Sequence, residues 1–172
     1  GGNTPCISIT TDEGFQIVLD CGTGIRCYGK SLSKDASSEF HIFISHFHWD
    51  HIQGFPSFGQ SFSPNSKIDI YTPFADAEEY LARQSSLPYF PINACFESVK
   101  GQLSFHLMQE GNPIEIGGLK IECHRMFHPG DSYSFSFEVN GKKFVYATDI
   151  ELKTTDFSSK TDGQEVFKDA DV

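Results

Sequence analysis

Between residues 45 and 54 the chain reads Ser-His-Phe-His-Trp-Asp-His-Ile-Gln-Gly, which sets His46, His48, Asp50 and His51 in an H-x-H-x-D-H spacing. Imidazole and carboxylate groups suit borderline divalent cations, zinc first and manganese or iron as alternatives. With seven histidines in 172 residues, composition alone would deliver this pattern at roughly 5 in a million positions. The spacing is therefore a signal and not an accident of composition. His46 and His48 follow an apolar run at 40–45, and on an extended backbone residues two apart point to the same side. Asp50 and His51 come next, in a turn or a helix start, and can face the same space. Two later residues sit where predicted strands end: His128, after a strand at 119–126, and Asp149, after a strand at 144–148. Strand ends are where layered α/β proteins place site residues. The chemistry this set points to is the binding of a divalent cation by imidazole and carboxylate groups. Ser45 and Ser132 lie close in sequence, but no base and orienting group accompany them as nucleophiles.

The elements that must position these residues are mostly strands. Alternation and turn chemistry predict a hairpin from strands at 6–10 and 15–20, then further strands at 40–45, 67–71, 103–107, 114–116 and 119–126. Gly117-Gly118 marks one turn, and Asn140-Gly141 joins strands at 133–139 and 142–148 in the strongest hairpin signal of the chain. Apolar spacing predicts a short helix after Gly24, a second at 75–86 behind Pro73, and a third at 163–168. Residue 170 begins a further strand. Hairpins mixed with helices indicate a layered α/β or α+β fold, not a uniform βαβ repeat. His41, His106 and His124 fall inside strands and read as structural. The aromatic residues near the proposed site loops, among them Phe47, Trp49, Phe55, Phe58, Phe62, Tyr89, Phe90 and Phe127, read as packing, with stacking on a nucleobase as the alternative.

Composition narrows the partners. Thirteen basic against 23 acidic residues leave a net charge of −10, the wrong sign for general binding of DNA or RNA. No apolar run reaches the length of a membrane span, and no signal peptide is visible. Five cysteines without a C-x-x-C pair indicate buried thiols in a reducing compartment, with the cytoplasm as default, and neither a disulfide framework nor a zinc ribbon.

The chain resembles the metallo-β-lactamase-fold hydrolases, and within them the group around ribonuclease Z and the cyclic-nucleotide phosphodiesterases. The resemblance rests on Gly-Gly-Asn-Thr-Pro-Cys at 1–6, Leu-Asp-Cys-Gly-Thr-Gly-Ile-Arg at 19–26, the stretch 45–56, Pro-Tyr-Phe-Pro at 88–91, His128-Pro129-Gly130 and Tyr146-Ala147-Thr148-Asp149. It implies an αββα sandwich and two divalent metal ions. His46, His48 and His128 would bind one ion, Asp50 and His51 the second, and Asp149 would bridge both together with a hydroxide, with Asp50 as a candidate for proton transfer. Asp20, at a strand end, would orient the site from behind, a role that metal-bound histidines generally require. The implied substrate is a phosphodiester, a cyclic nucleotide or similar. The alternatives are a lactone, thioester or β-lactam, or a metal-binding fragment without turnover.

Two departures from that pattern stand out. The family's last histidine for the second metal has no counterpart after His128, and the first strand before Gly1 is also missing. Residues 1–172 therefore read as one metallo-β-lactamase-like domain truncated at both ends, with an exposed sheet edge that would make it fold poorly alone. A homodimer is left open. Where the family has small residues, this chain has Asp131, which could repel a phosphate or pair with a cation and reads as a loop carboxylate facing water.

Overall fold

The turn chemistry of the first hairpin is met in full. In the computed structural model, which describes residues 2–32, 38–90, 95–152 and 166–172, β1 (Ile7–Thr10) pairs antiparallel with β2 (Gln16–Leu19). Thr11 closes the turn by accepting from Gly14 N–H and donating its own N–H to Phe15. The described residues fall into two compact units, 1–107 and 108–172, and each holds one sheet.

In the first unit, β2 continues through three parallel strands, β3 (Ser38–Phe43), β4 (Ser66–Thr72) and β5 (Leu103–Leu107). Parallel neighbours need crossovers. These contain α1 (Gly24–Ser31), α2 (Trp49–Ile52), α3 (Ala77–Gln84), α4 (Cys95–Val99) and short 3-10 turns at Phe55–Ser57, Gly59–Phe62 and Lys100–Gln102. One sheet face carries Val18, Phe40, Ile42, Ile68 and Ile70, which pack with Ile25, Phe55, Phe58 and Leu81 into a buried cluster. Phe58 stands edge-on to Phe40 at 5.2 Å and parallel to Tyr28 at 6.4 Å. Phe55 and Phe58 are thus core residues.

The alternate strand positions form a ladder in register. Phe43 stacks on Tyr71 at 4.8 Å and Tyr71 on His106 at 4.6 Å, across three paired strands. His106 Nε2 lies 2.7 Å from Asp69 Oδ1, and His41 Nδ1 lies 3.3 Å from the Tyr71 hydroxyl. Both histidines therefore serve the sheet, as does His124, whose Nε2 lies 3.1 Å from Ser136 Oγ.

The second unit is an antiparallel meander of β6 (Ile114–Ile116), β7 (Leu119–Met126), β8 (Ser132–Val139) and β9 (Lys142–Tyr146). Asn140 and Gly141 both take positive φ, 51° and 71°, as a two-residue hairpin turn requires. The chain at 170–172 runs beside β9 without becoming a strand: Asp171 N–H donates to Lys143 O and Val145 N–H to Val172 O, each at 2.8 Å.

Most element ends lie within a residue of the sequence expectation, and the larger differences are these. The strand expected at 40–45 runs Ser38–Phe43, because its register with both neighbours stops at Phe43. The strand expected at 142–148 ends at Tyr146, and the helix expected at 75–86 is Ala77–Gln84. The helix expected at 163–168 lies partly outside the described residues. Cys6, Cys21, Cys27 and Cys123 are free thiols. Burial pushes Cys6 up to about 12 and Cys123 to about 11, with Cys21 also raised. No helix among the described residues is long and apolar enough to cross a membrane.

Candidate metal centre

In the first unit the site residues gather at the carboxyl ends of the parallel strands, where crossovers leave a crevice. Asp20 directly follows β2, and its side chain is fully buried. It holds a left-handed backbone, φ 58°, a conformation that Asp tolerates better than most residues. Its Oδ1 accepts the Ser45 N–H at 2.7 Å, while Oδ2 lies 2.8 Å from Ser45 Oγ and 2.7 Å from His51 Nδ1.

Together with a contact between Ser45 and His46, those three contacts fix two tautomers. A carboxylate only accepts, so His51 Nδ1 carries a proton and Nε2 is the nitrogen left to bind a cation. Ser45 likewise spends its hydroxyl proton on Asp20. Its oxygen, 3.0 Å from His46 Nδ1, must then accept from that nitrogen, which makes Nε2 the ligand atom of His46 as well. The His46 ring lies 4.6 Å from His48 and 4.2 Å from His51, centroid to centroid. Asp50 is half exposed at the start of α2, with Oδ2 3.5 Å from His51 Nε2. His46, His48, Asp50 and His51, the residues of the H-x-H-x-D-H spacing, thus lie in one neighbourhood of the first unit with Asp20, the residue that the resemblance adds. Ser45, read from sequence only as an unsupported nucleophile, is the relay between Asp20 and His46.

The second unit presents the other two expected ligands together. His128 follows β7 and Asp149 follows β9, with His128 Nε2 3.6 Å from Asp149 Oδ2. Glu151 N–H donates to Phe127 O at 2.8 Å, which ties the two loops. Asp149, like Asp20, has positive φ, 45°. Asp131 does not simply face water, as expected from the sequence. It accepts from Arg125 Nε at 3.1 Å and Nη2 at 2.6 Å, so its charge is met by an arginine.

The donor chemistry of each set fits divalent cations. In the first, imidazoles oriented by a buried carboxylate stand beside a solvent-facing one, the usual arrangement behind a metal-bound histidine.

A family model described as Anti-Pycsar protein Apyc1 matches residues 5–172. The chain belongs to this family. Relatives outside the Apyc1 description include the cAMP/cGMP-dependent 3',5'-cAMP/cGMP phosphodiesterase B of Dictyostelium discoideum, 26% identical over 137 residues, covering 80% of this chain and 12% of that protein. Ribonuclease Z of Shouchella clausii is 32% identical over 137 residues, covering 76% of this chain and 40% of that protein. The chain thus spans less than half the length of either relative. Among solved structures, the short form of human tRNase Z matches with a TM-score of 0.65 at 20% identity, over 98% of this chain and 69% of that one. The metallo-β-lactamase-fold protein YhfI of Bacillus subtilis matches with a TM-score of 0.62 at 17% identity, over 88% and 57%. At such identities these likenesses establish the fold: the Apyc1-family chain has the metallo-β-lactamase fold, as its motifs imply, and shares it with ribonuclease Z-like and phosphodiesterase-like proteins.

Proposed function

We propose that the protein is a dinuclear metal-dependent hydrolase of phosphodiesters, acting on a cyclic nucleotide or a similar nucleotide ester. The observation that carries this reading is the Asp20–His51 and Asp20–Ser45–His46 arrangement, which sets two imidazoles with Nε2 as the ligand nitrogen at the strand ends. A buried carboxylate oriented behind two neighbouring imidazoles at strand ends is the support that metal-bound histidines receive. The two named relatives, a cyclic-nucleotide phosphodiesterase and a ribonuclease, both act by name on nucleotide substrates.

In this reading, which follows the family resemblance, His46, His48 and His128 would hold one ion and Asp50 and His51 the other, with Asp149 available to both. Zinc is the first choice for this donor set. Divalent ions, when bound, lower the pKa of water and neutralise charge on phosphoryl oxygens. The chain's own part is positional. Asp20 and Ser45 keep protons off the ligand nitrogens, and Asp50, open to solvent, can pass a proton between site and water.

The test is metal content and turnover measured on one preparation, with a 3',5'-cyclic nucleotide, a generic phosphodiester and a lactone. The expected result is two ions per chain, phosphodiester turnover, and loss of metal and activity in His46→Ala. Full activity in Asp50→Ala would remove the two-metal mechanism, and lactone turnover alone would overturn the phosphodiester assignment.

A further inference from the structure

The loop that carries His128 is fixed at its base by a pair of side chains outside the candidate ligand set. Residues 127–131 join β7 to β8, and the ladder closes around them with Met126 opposite Ser132. Within the loop, Asp131 N–H donates to His128 O at 2.9 Å. Gly130, behind Pro129, has φ 83°, the place that a type II turn reserves for glycine. Asp131 follows with a second positive φ, 65°. Glycine is the default in that region, and Asp is one of the few residues that tolerate it. A glycine at 131 would leave the exit of the turn free to swing. Asp131 puts a carboxylate there instead.

Arg125 takes hold of that carboxylate. It stands opposite Tyr133 in the β7–β8 ladder, and its own N–H donates to Glu110 Oε1 at 2.6 Å. From this anchored backbone, Nε and Nη2 both donate to Asp131 Oδ1, at 3.1 and 2.6 Å. The pair spans the loop and encloses His128 in the chain. On the other flank of His128, Phe127 O accepts from Glu151 N–H at 2.8 Å. Arg125 and Asp131 are each about half exposed, so their ion pair adds little to global stability. A contribution too small to hold a fold still shifts a short loop severalfold between conformers.

We propose that Arg125 and Asp131 are positioning residues, whose ion pair locks the turn that carries His128 and so keeps its imidazole beside Asp149. That His128 holds an ion rests on the hydrolase reading above; the locking of its loop does not. A lock and a plain charge effect on metal binding differ in sign. As charges alone, Arg125 would oppose a bound cation and Asp131 would favour it, so removing them would shift affinity in opposite directions. As a lock, removing either partner weakens binding, and removing both is no worse than removing one.

Zinc affinity, read by competition against a fluorescent chelator, should fall about fivefold in Arg125→Met, in Asp131→Gly and in the double variant alike. Asp131→Asn, which keeps an oxygen acceptor and suits the positive φ, should stay at the parent value. In chelator-treated protein, hydrogen exchange of the Asp131 N–H should be about fivefold faster in Arg125→Met. Opposite shifts of affinity in Arg125→Met and Asp131→Gly, or a loss in Asp131→Asn equal to that in Asp131→Gly, would overturn the assignment in favour of a charge effect. An unchanged exchange rate in Arg125→Met, or zinc affinity unchanged in both Arg125→Met and Asp131→Gly, would overturn it as well. Faster exchange in Arg125→Met when even the parent protein takes up no zinc would support the lock and overturn the hydrolase reading.

Discussion

Asp20 touches no substrate in this reading, yet three hydrogen bonds converge on its buried carboxylate. An Asn in its place keeps the shape and loses an acceptor. With the amide nitrogen at the Oδ2 position, two donors, Ser45 Oγ–H and His51 Nδ1–H, would face a third. Relief requires His51 to move its proton to Nε2, which removes that nitrogen as a ligand. Asp20→Asn should therefore weaken zinc binding about 10–100-fold while costing about 1–3 kcal/mol of stability. Competition against a fluorescent chelator, alongside a urea titration, separates the two effects. Stability lost with metal affinity intact would make Asp20 a core polar residue only. Residue type and spacing are enough to mark His46, His48, Asp50 and His51 as candidate ligands, whereas His128 and Asp149 stand out only by their order in the chain and the family resemblance. Ser45 is not legible in either way, since its role lies in a hydrogen bond to a residue 25 positions away, and nothing in its local sequence records that partner.

At the scale of elements, the four-residue α2 is too short to hold its own shape, because helix nucleation costs more than so few bonds return. It is held instead by the loop after β2. Cys21 N–H donates to His51 O at 2.7 Å, Gly54 N–H to Cys21 O at 2.8 Å, and Gly22 N–H to Pro5 O at 2.8 Å. The approach is close enough to need glycine on both sides. A Cβ on Gly54 would sit 2.1 Å from Gly22 O, and one on Gly22 would sit 2.5 Å from Asp50 O. Those obstacles are backbone and cannot swing away. Gly54→Ala should cost about 1–3 kcal/mol as an overpacked contact and lower metal affinity with it, because α2 carries Asp50 and His51. Gly59→Ala, where a Cβ meets nothing within 4 Å, is the control that should leave both unchanged; equal effects would dissolve the argument. This pairing also shows where sequence reading stops. Asn140-Gly141 announces its hairpin locally, through the positive φ that the turn demands. Neither α2 nor the 3-10 turns after it have enough residues to show a period, and the end of β3 is set by its partners' register. Gly22 and Gly54 look like ordinary turn glycines until the two loops are seen to touch.

For the molecule as a whole, charge and buried histidines pull stability in opposite directions as pH falls. The chain carries −10 at neutrality and has a pI near 5.0, so acidification relieves self-repulsion. Against this, burial holds His41 and His124 below their ordinary value of 6.5, one in each unit. An unfolded chain takes up protons at these histidines near 6.5 while the folded one resists. Below that pH the unfolded state binds more protons and stability must drop. A second loss follows near 4. Burial alone would raise Asp69, but hydrogen bonds from Lys67 and His106 hold it below its ordinary 3.8, and that advantage disappears as the unfolded carboxyl protonates. The repulsion is spread over exposed groups and is screened by salt, whereas the imidazoles, His41 buried and His124 partly buried, are screened less, so at physiological ionic strength the histidines should win. In chelator-treated protein, which removes any contribution from metal release, the urea midpoint should fall between pH 7.5 and pH 5.5. Changing His41 and His124 together to Gln should flatten that fall. A midpoint that rises over the same interval in the unchanged protein would mean that relief of the net charge outweighs the two histidines.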